Sequence, residues 1–229
     1  MEDRRDESEE WMGITDLMSG LMLIFLLIAI TFMFQVQKDK KRLEDVSKNF
    51  IGVQMAINKA LQNEFTTEEL KKWNVSILPN NTIRFKSPDV LFKKGESELK
   101  PLFQFILEDF FPRYIKVLTN EKFINHIDEV RVEGHTSSNW NSSKRDSYIK
   151  NLELSQKRAK EVLTFIINRP ILLDKFNWLT SVFRANGLSS SKLIYKDGVE
   201  DKEASRRVEF RVMTKSLEAI RKLEELRNK

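Results

Sequence analysis

Two stretches, VEGHTSS at Val132–Ser138 and NLELSQKRAKEVLTFII at Asn151–Ile167, decide how this chain folds. The first closes the longer run IDEVRVEGHT, where Val130 and Val132 alternate with charged residues. That period of two predicts a half-buried strand running into a turn at Gly134–Ser137. The second places Leu154, Ala159, Val162, Leu163 and Ile166 on the inward face of a helix. A strand that turns toward a helix with an apolar face calls for a sheet with helices laid on it.

The neighbouring segments fit that plan. Ile83 and Phe85 alternate in NTIRFKSPDVLF and predict a short strand. GESELKPLFQFILEDFFPRYIKVL predicts a helix with Leu99, Leu102, Phe103, Ile106, Leu107 and Phe110 on one face and Pro101 in its first turn. FNWLTSVFRANG predicts a shorter helix capped by Gly187. RRVEFRVM predicts a strand with Val208, Phe210 and Val212 inward and Arg207, Glu209 and Arg211 outward. The fold class is therefore α+β, a small mixed sheet covered by helices, with a charged helical tail at 215–229.

Ahead of this domain, Leu17–Phe34 runs for eighteen residues without a charge. Roughly 20 residues at 1.5 Å each cross the hydrocarbon, so Ile14–Val36 predicts a single transmembrane helix. The acidic start MEDRRDESEE and the absence of an Ala-x-Ala site argue against a cleaved signal peptide. Behind the span, Leu43, Val46, Phe50, Val53, Ile57 and Ala60 recur at spacings of 3, 4, 3, 4 and 3. That seam suits either a parallel dimeric coiled coil or a helix packed on a domain, and dimerisation is the expectation. The expected organisation is residues 1–13 as N-terminus, 14–36 as span, 37–63 as linker helix, 64–80 as joint, 81–214 as the domain and 215–229 as tail.

Composition excludes several classes. Without cysteine there are no disulfides or thiolate metal sites, and the net charge of +5 is too small and too dispersed for a nucleic-acid binder. Only two histidines occur, His126 and His135, without ligand-like spacing, so no metal site is expected. Ser137 and Ser138 beside His135 invite a hydrolase reading, but no nucleophile–base pair or carboxylate dyad accompanies them, and the chain is not expected to be an enzyme.

Two places carry chemistry. Asp16 is a carboxylate at the start of the apolar run. Close to hydrocarbon it needs water, a partner, or a bound proton or sodium ion; in the headgroup region it would simply cap the helix. Asn151, Ser155 and Arg158, spaced by 4 and 3, share one helical face near the Gly134–Ser137 turn. A guanidinium among amides and hydroxyls suits a carboxylate-bearing ligand, while a helix cap with a surface salt bridge would use the same residues.

These residues carry a resemblance. VEGHTSS, NLELSQKRAKEVLTFI and RRVEFRV, in this order over about residues 81–214, resemble the peptidoglycan-binding domain of the OmpA/MotB family, with its G-H-T-D turn, N-x-x-L-S-x-x-R-A helix and R-R-V-E strand. WMGITDLMSGLMLIFLLI is similar to the membrane helix of MotB-class ion-driven stator subunits. The combination resembles the MotB-like subunits of Zorya anti-phage defence systems, whereas TolR and ExbD are similar in the anchor alone. The resemblance implies a homodimer inside a pentamer of ZorA-like (MotA-like) membrane subunits, with Asp16 carrying a proton or sodium ion. It also implies a domain that grips peptidoglycan, with Arg158 on the stem-peptide carboxylate. Asn151, Ser155, His135, Thr136 and Ser137 are the other expected wall-binding residues, and Gly134, Leu154, Arg206, Arg207 and Glu209 the structural motif positions. A passive wall tether and a flagellar-type stator are the competing readings.

Two features stand against the resemblance. Ser137 occupies the place of the turn's acid, which implies altered or weaker wall binding or a role for the loop SNWNSSKRDS; Asp146 lies farther along. Lys38, Lys40, Lys41, Arg42 and Lys48 outnumber Arg4 and Arg5 across the span and favour the domain on the cytoplasmic side. The resemblance demands the reverse: an inner-membrane protein with a cytoplasmic N-terminus and a periplasmic domain.

Overall fold

The computed structural model describes residues 3–86, 91–93, 95–138 and 143–215. Part of the SNWNSSKRDS loop, and the expected tail helix except for Lys215, lie outside these residues. The chain divides near residue 50 into two units.

The first unit is helical. Helix α1 spans Asp3–Glu64, and its apolar segment is long and apolar enough to cross a membrane, with none of that segment buried inside the protein. Leu17 and Phe32, 74% and 69% exposed, show how fully its side chains face outward. The hydroxyl side chains in the segment are satisfied along the helix: the Thr15 hydroxyl donates to the Trp11 carbonyl at 2.7 Å, Ser19 to the Thr15 carbonyl at 2.8 Å and Thr31 to the Ile28 carbonyl at 2.8 Å. That arrangement leaves no hydroxyl unpaired in a medium without water.

The second unit starts with the last turns of α1. Ile57 and Leu61 are fully buried in the domain core and Val53 packs against it. Two of the six positions of the expected dimer seam, Val53 and Ile57, are thus committed to the chain's own domain, which leaves the part from Leu43 to Phe50 for any coiled coil. Arg113 fixes this end of α1. Its guanidinium donates to Glu64 Oε1 at 2.9 Å, to the Glu64 carbonyl at 2.5 Å and to Glu69 Oε1 at 2.8 Å, and lies 4.8 Å over the Phe65 ring. The hydrogen bond from Arg113, followed by that from the Thr66 N–H, lowers the Glu69 pKa to about 2. Thr66 and Glu69 also form a capping box at the start of helix α2, Thr67–Lys72.

Strands β1 (Val75–Ile77) and β2 (Thr82–Phe85) follow as a hairpin, so the stretch expected as a joint contributes a helix and a strand. Next come helix α3 (Pro101–Leu118), strand β3 (Ile127–His135) and helix α4 (Lys144–Ile167). Helix α5 (Phe176–Val182) leads directly into strand β4 (Phe183–Gly187). A two-stranded hairpin, β5 (Tyr195–Lys196) and β6 (Val199–Glu200), and helix α6 (Lys202–Ser205) precede strand β7 (Arg207–Thr214). The main sheet has the order β1-β2-β7-β3-β4, with β3 and β4 parallel and the other pairs antiparallel. This is the expected α+β architecture.

Ile83, Phe85, Val130, Val132, Val208, Phe210 and Val212 form the core face of the sheet, each at most 2% exposed. Phe210 packs against Phe85, Phe110, Phe111 and Tyr114 with ring centroids 5.5–6.1 Å apart. Burying one such ring contributes about 1.5–3 kcal/mol. Three sequence expectations change. Leu99 precedes α3 and bridges Phe92, while Leu102, 56% exposed, faces away from the core; Phe111, Tyr114 and Ile115 take the buried positions. Gly187 ends a strand instead of capping a helix, because Phe183–Gly187 pairs with β3. Arg207 and Glu209 do leave the core face, as expected, yet they are buried on the opposite side.

Gly134 and Gly187 are directly paired across β3 and β4, and α4 passes over both. A Cβ on Gly134 would collide with the Ser155 carbonyl, and one on Gly187 would sit 2.5 Å from the Gln156 nitrogen. Backbone atoms cannot yield as a flexible side-chain tip does. Gly134→Ala is expected to destabilise the domain by about 1–3 kcal/mol, measured by denaturant unfolding of the full chain in detergent. Unchanged stability would mean that α4 can lift from the sheet at no cost.

Candidate functional site

The Gly134–Ser137 turn sits on the first half of α4, held by hydrogen bonds at each residue that follows the glycine pair. Asn151 Nδ2 donates to the Ser137 carbonyl at 3.0 Å. The Thr136 N–H donates to the Ser189 carbonyl at 3.0 Å, and the Ser189 N–H donates to Ser155 Oγ at 3.0 Å. The Ser189 hydroxyl in turn donates to the Tyr148 carbonyl at 2.8 Å. Ser189 is fully buried at φ 51, a conformation rarely adopted by residues with a Cβ. It joins the turn to the helix, and sequence reading missed it because a serine in a loop carries no signal of such a role.

Of the expected wall-binding residues, Thr136, Ser137, Asn151 and Ser155 are therefore brought together, and Arg158 follows one turn along α4. The His135 side chain lies on the opposite face of the sheet beside Glu133 and Glu209, and all six are buried. His135, Thr136, Ser137, Asn151, Ser155 and Arg158 are all 8% exposed or less. Asn151 and Ser155 spend the hydrogen bonds described above on the chain itself. Arg158 Nε donates to the Glu96 carbonyl at 2.9 Å and Nη2 to the Lys93 carbonyl at 3.4 Å, with the guanidinium 4.8 Å over the Phe92 ring. Leu154 is half-buried and lines an open cleft of about 460 Å³ with Glu96, Glu98, Lys150, Glu153 and Lys157. Both signs of charge meet in this cleft, one residue along the chain from Arg158.

The outer face of the sheet holds a second polar group. Glu209 Oε1 accepts from Arg84 Nε and from Arg207 Nε, each at 2.6 Å. His135 Nε2 lies 3.6 Å from Glu209 Oε2 and 3.7 Å from Glu133 Oε2. Glu133, His135 and Glu209 bring their ligating atoms within 4.8 Å of one another, the one such trio among the described residues. Two guanidinium groups already compensate Glu209, the carboxylate that the trio shares with Arg84 and Arg207. Burial lowers the His135 pKa despite the two carboxylates, favouring the neutral imidazole. For Glu209, burial is the largest single effect and pushes the pKa up, but the Arg207 bond together with the nearby charges, those of Arg207 and Arg84 among them, outweighs it and the net shift is downward. Arg206, the other arginine of the motif, pairs with Glu203.

The hairpin β5–β6 was also missed, although Asp197-Gly198 is a strong two-residue turn signal. It carries Glu200, whose Oε1 accepts from the Ser138 N–H at 2.9 Å and whose Oε2 accepts from the Ser138 hydroxyl. In the first unit, Asp16 is exposed on α1 and finds no hydrogen-bond or ion-pair partner among the described residues.

A helix long and apolar enough to cross a membrane, with one carboxylate near its start, precedes a glycine-pinned βαβ sheet with the motif trio in order, and that domain has an OmpA/MotB-like fold. No protein-family model matches the chain. It is 41% identical over 221 residues to the Zorya protein ZorB of Escherichia coli strain Crooks, covering 95% of this chain and 93% of that one. It is 25% identical over 217 residues to the ZorB of a second Escherichia coli strain, covering 91% and 82%. A solved structure of a MotB-like protein from Desulfovibrio vulgaris aligns with a TM-score of 0.52 at 19% identity, over 73% of this chain and 98% of that one, and shares the fold. The chain belongs to the ZorB family.

The His135 shift has a consequence for stability. Its folded pKa lies below the ordinary value of 6.5, so on acidification the unfolded chain takes up this proton first. Stability contributed by the neutral imidazole is complete above pH 6.5 and is lost as pH falls through the folded pKa. The melting temperature of the full chain in detergent should drop by a few degrees between pH 7.5 and 5.5, and His135→Gln should remove that part of the drop. Equal slopes in the two proteins would contradict the assignment.

Proposed function

We propose that this chain is the peptidoglycan-anchored, ion-carrying subunit of an inner-membrane motor complex acting in defence against phage. Membership of the ZorB family supports the defence role and the association with a MotA-like partner. The observation that carries the ion-coupling step is Asp16, an exposed carboxylate on a helix able to span the membrane. An ionised carboxylate close to hydrocarbon needs water, a partner or a bound cation, and a proton or sodium ion meets that need by neutralising it. Binding a proton or sodium ion removes the charge and changes which surroundings Asp16 prefers. Alternating the two forms against a ring of partner subunits converts ion passage into relative motion.

In this reading two copies stand within five ZorA-like subunits, paired along the span and the Leu43–Phe50 part of the seam. The N-terminus lies in the cytoplasm and the domain in the periplasm, where peptidoglycan is found. The lysines behind the span oppose this orientation, and assembly with neighbouring subunits overrides them. The domain holds the wall through its turn and the start of α4, with Arg158 facing a stem-peptide carboxylate. Because Arg158 also holds the carbonyls of Lys93 and Glu96, it anchors the 91–99 segment as well as any ligand.

A passive wall tether would share the domain but have no use for the Asp16 carboxyl. Phage plating on cells carrying the whole gene cluster separates the two. Asp16→Asn, at matched protein level and intact assembly, is expected to abolish protection. Full protection would sink the motor reading and leave the tether. For the wall contact, Arg158→Lys keeps a cation but loses the planar fork, and retention of the full chain on purified sacculi should fall at least tenfold. Undiminished retention would remove Arg158 from the binding site.

A further inference from the structure

We propose that Glu200 supplies, from the β5–β6 hairpin, the negative charge that the Gly134–Ser137 turn lacks, and that this carboxylate binds the ammonium group of a diamino acid in the wall peptide. The proposal rests on the wall-peptide reading above and deepens it.

The carboxylate is built into place from both sides. Asp197 and Gly198, at φ 52 and 79, close the hairpin with the two left-handed residues that a tight two-residue turn requires, and set Tyr195 opposite Glu200. Immediately after it, the Asp201 N–H donates to the Ile194 carbonyl at 2.8 Å, and the Asp201 carboxylate caps α6 by accepting from the Ala204 N–H at 3.0 Å. The backbone of Glu200 is thus fixed between a hairpin and a capped helix. Its side chain crosses to the end of the turn, where each oxygen accepts one bond from Ser138.

A surface glutamate normally finds a lysine or arginine, or points into water. Glu200 does neither. It is half-buried, its two oxygens are aimed by two donors of a single residue, and no ion-pair partner meets it among the described residues. Each carboxylate oxygen has a further lone pair once the Ser138 bonds are made. Close by in sequence, Thr136 Oγ1 is buried without a hydrogen-bond partner among the described residues. An acid held rigid, with a lone pair to spare on each oxygen, suits a compact cation with several donors, as an alkylammonium is. A planar guanidinium would compete with the Ser138 donors for both oxygens at once.

The alternative occupation for Glu200 is as a latch that merely ties the hairpin to the turn. Glu200→Gln separates these roles. The amide oxygen can still accept from the Ser138 N–H and the amide nitrogen can donate to the Ser138 hydroxyl, so the latch survives while the charge is removed. The full chain in detergent micelles would be titrated with meso-diaminopimelate and with pimelate, which has the same carbon chain and both carboxylates but no amines. The unaltered protein is expected to prefer the diamino acid by about tenfold, and Glu200→Gln to lose that preference while binding pimelate as before. An unchanged preference in Glu200→Gln, or an equal loss of both ligands, would overturn the role of Glu200. Failure of the unaltered protein to bind meso-diaminopimelate at all would instead overturn the wall-peptide reading beneath it.

Discussion

Everything that distinguishes this domain hangs on the contact of helix α4 with two glycines. Gly134 and Gly187 face each other on paired strands, and the Ser155–Gln156 backbone lies where their side chains would be. That approach brings Asn151 to the carbonyl of Ser137, brings Ser155 to the N–H of Ser189, and lets Gln156 bond both the Ala185 carbonyl and the Gly187 N–H. A methyl group at either glycine would lift the helix from the turn, and the bonds between them would lengthen together. Residues assigned to ligand contact by motif are, in this structure, first of all the residues that hold the turn in shape.

Charge is treated differently in the two units. In the domain, charges are compensated: the buried Glu209 between Arg84 and Arg207, and the half-buried Arg113 between Glu64 and Glu69. Such networks add little net stability relative to an apolar core but are costly to break on one side, so they select one arrangement. Asp16 has no compensation within the described chain. That is the feature on which the proposed change between charged and neutral forms rests.

The strand and helix periodicities were read correctly where one face alone is buried. Val130 and Val132, Val208, Phe210 and Val212, and Ala159, Val162 and Ile166 all lie inward as their spacing required. The reading failed where burial comes from elsewhere. Arg207 and Glu209 follow the strand alternation, yet the polar side of the sheet buries them too, which periodicity cannot show. Ile57 has the spacing of a coiled-coil position and is consumed by the domain, because the same apolar stripe serves either partner. Gly187 has the position of a helix cap, and its actual need for a missing side chain comes from a helix some thirty residues away in sequence. The motif residues of the site were legible, whereas Ser189 and Glu200 were not, since each acts on the turn from a loop or hairpin whose placement only the fold determines.

ZorB family membership, the helix able to span a membrane and the OmpA-like fold support the proposal of a subunit that connects the inner membrane to the wall, with Asp16 as the group through which ion movement would act. The most direct measurement is ion flux in vesicles containing the chain assembled with its MotA-like partner, driven by an imposed proton or sodium gradient and read with an ion-sensitive dye. The account requires flux that depends on the Asp16 carboxyl and vanishes in Asp16→Asn while the complex stays intact. Equal flux in both, or none in a complex that still protects cells, would contradict ion coupling through this residue.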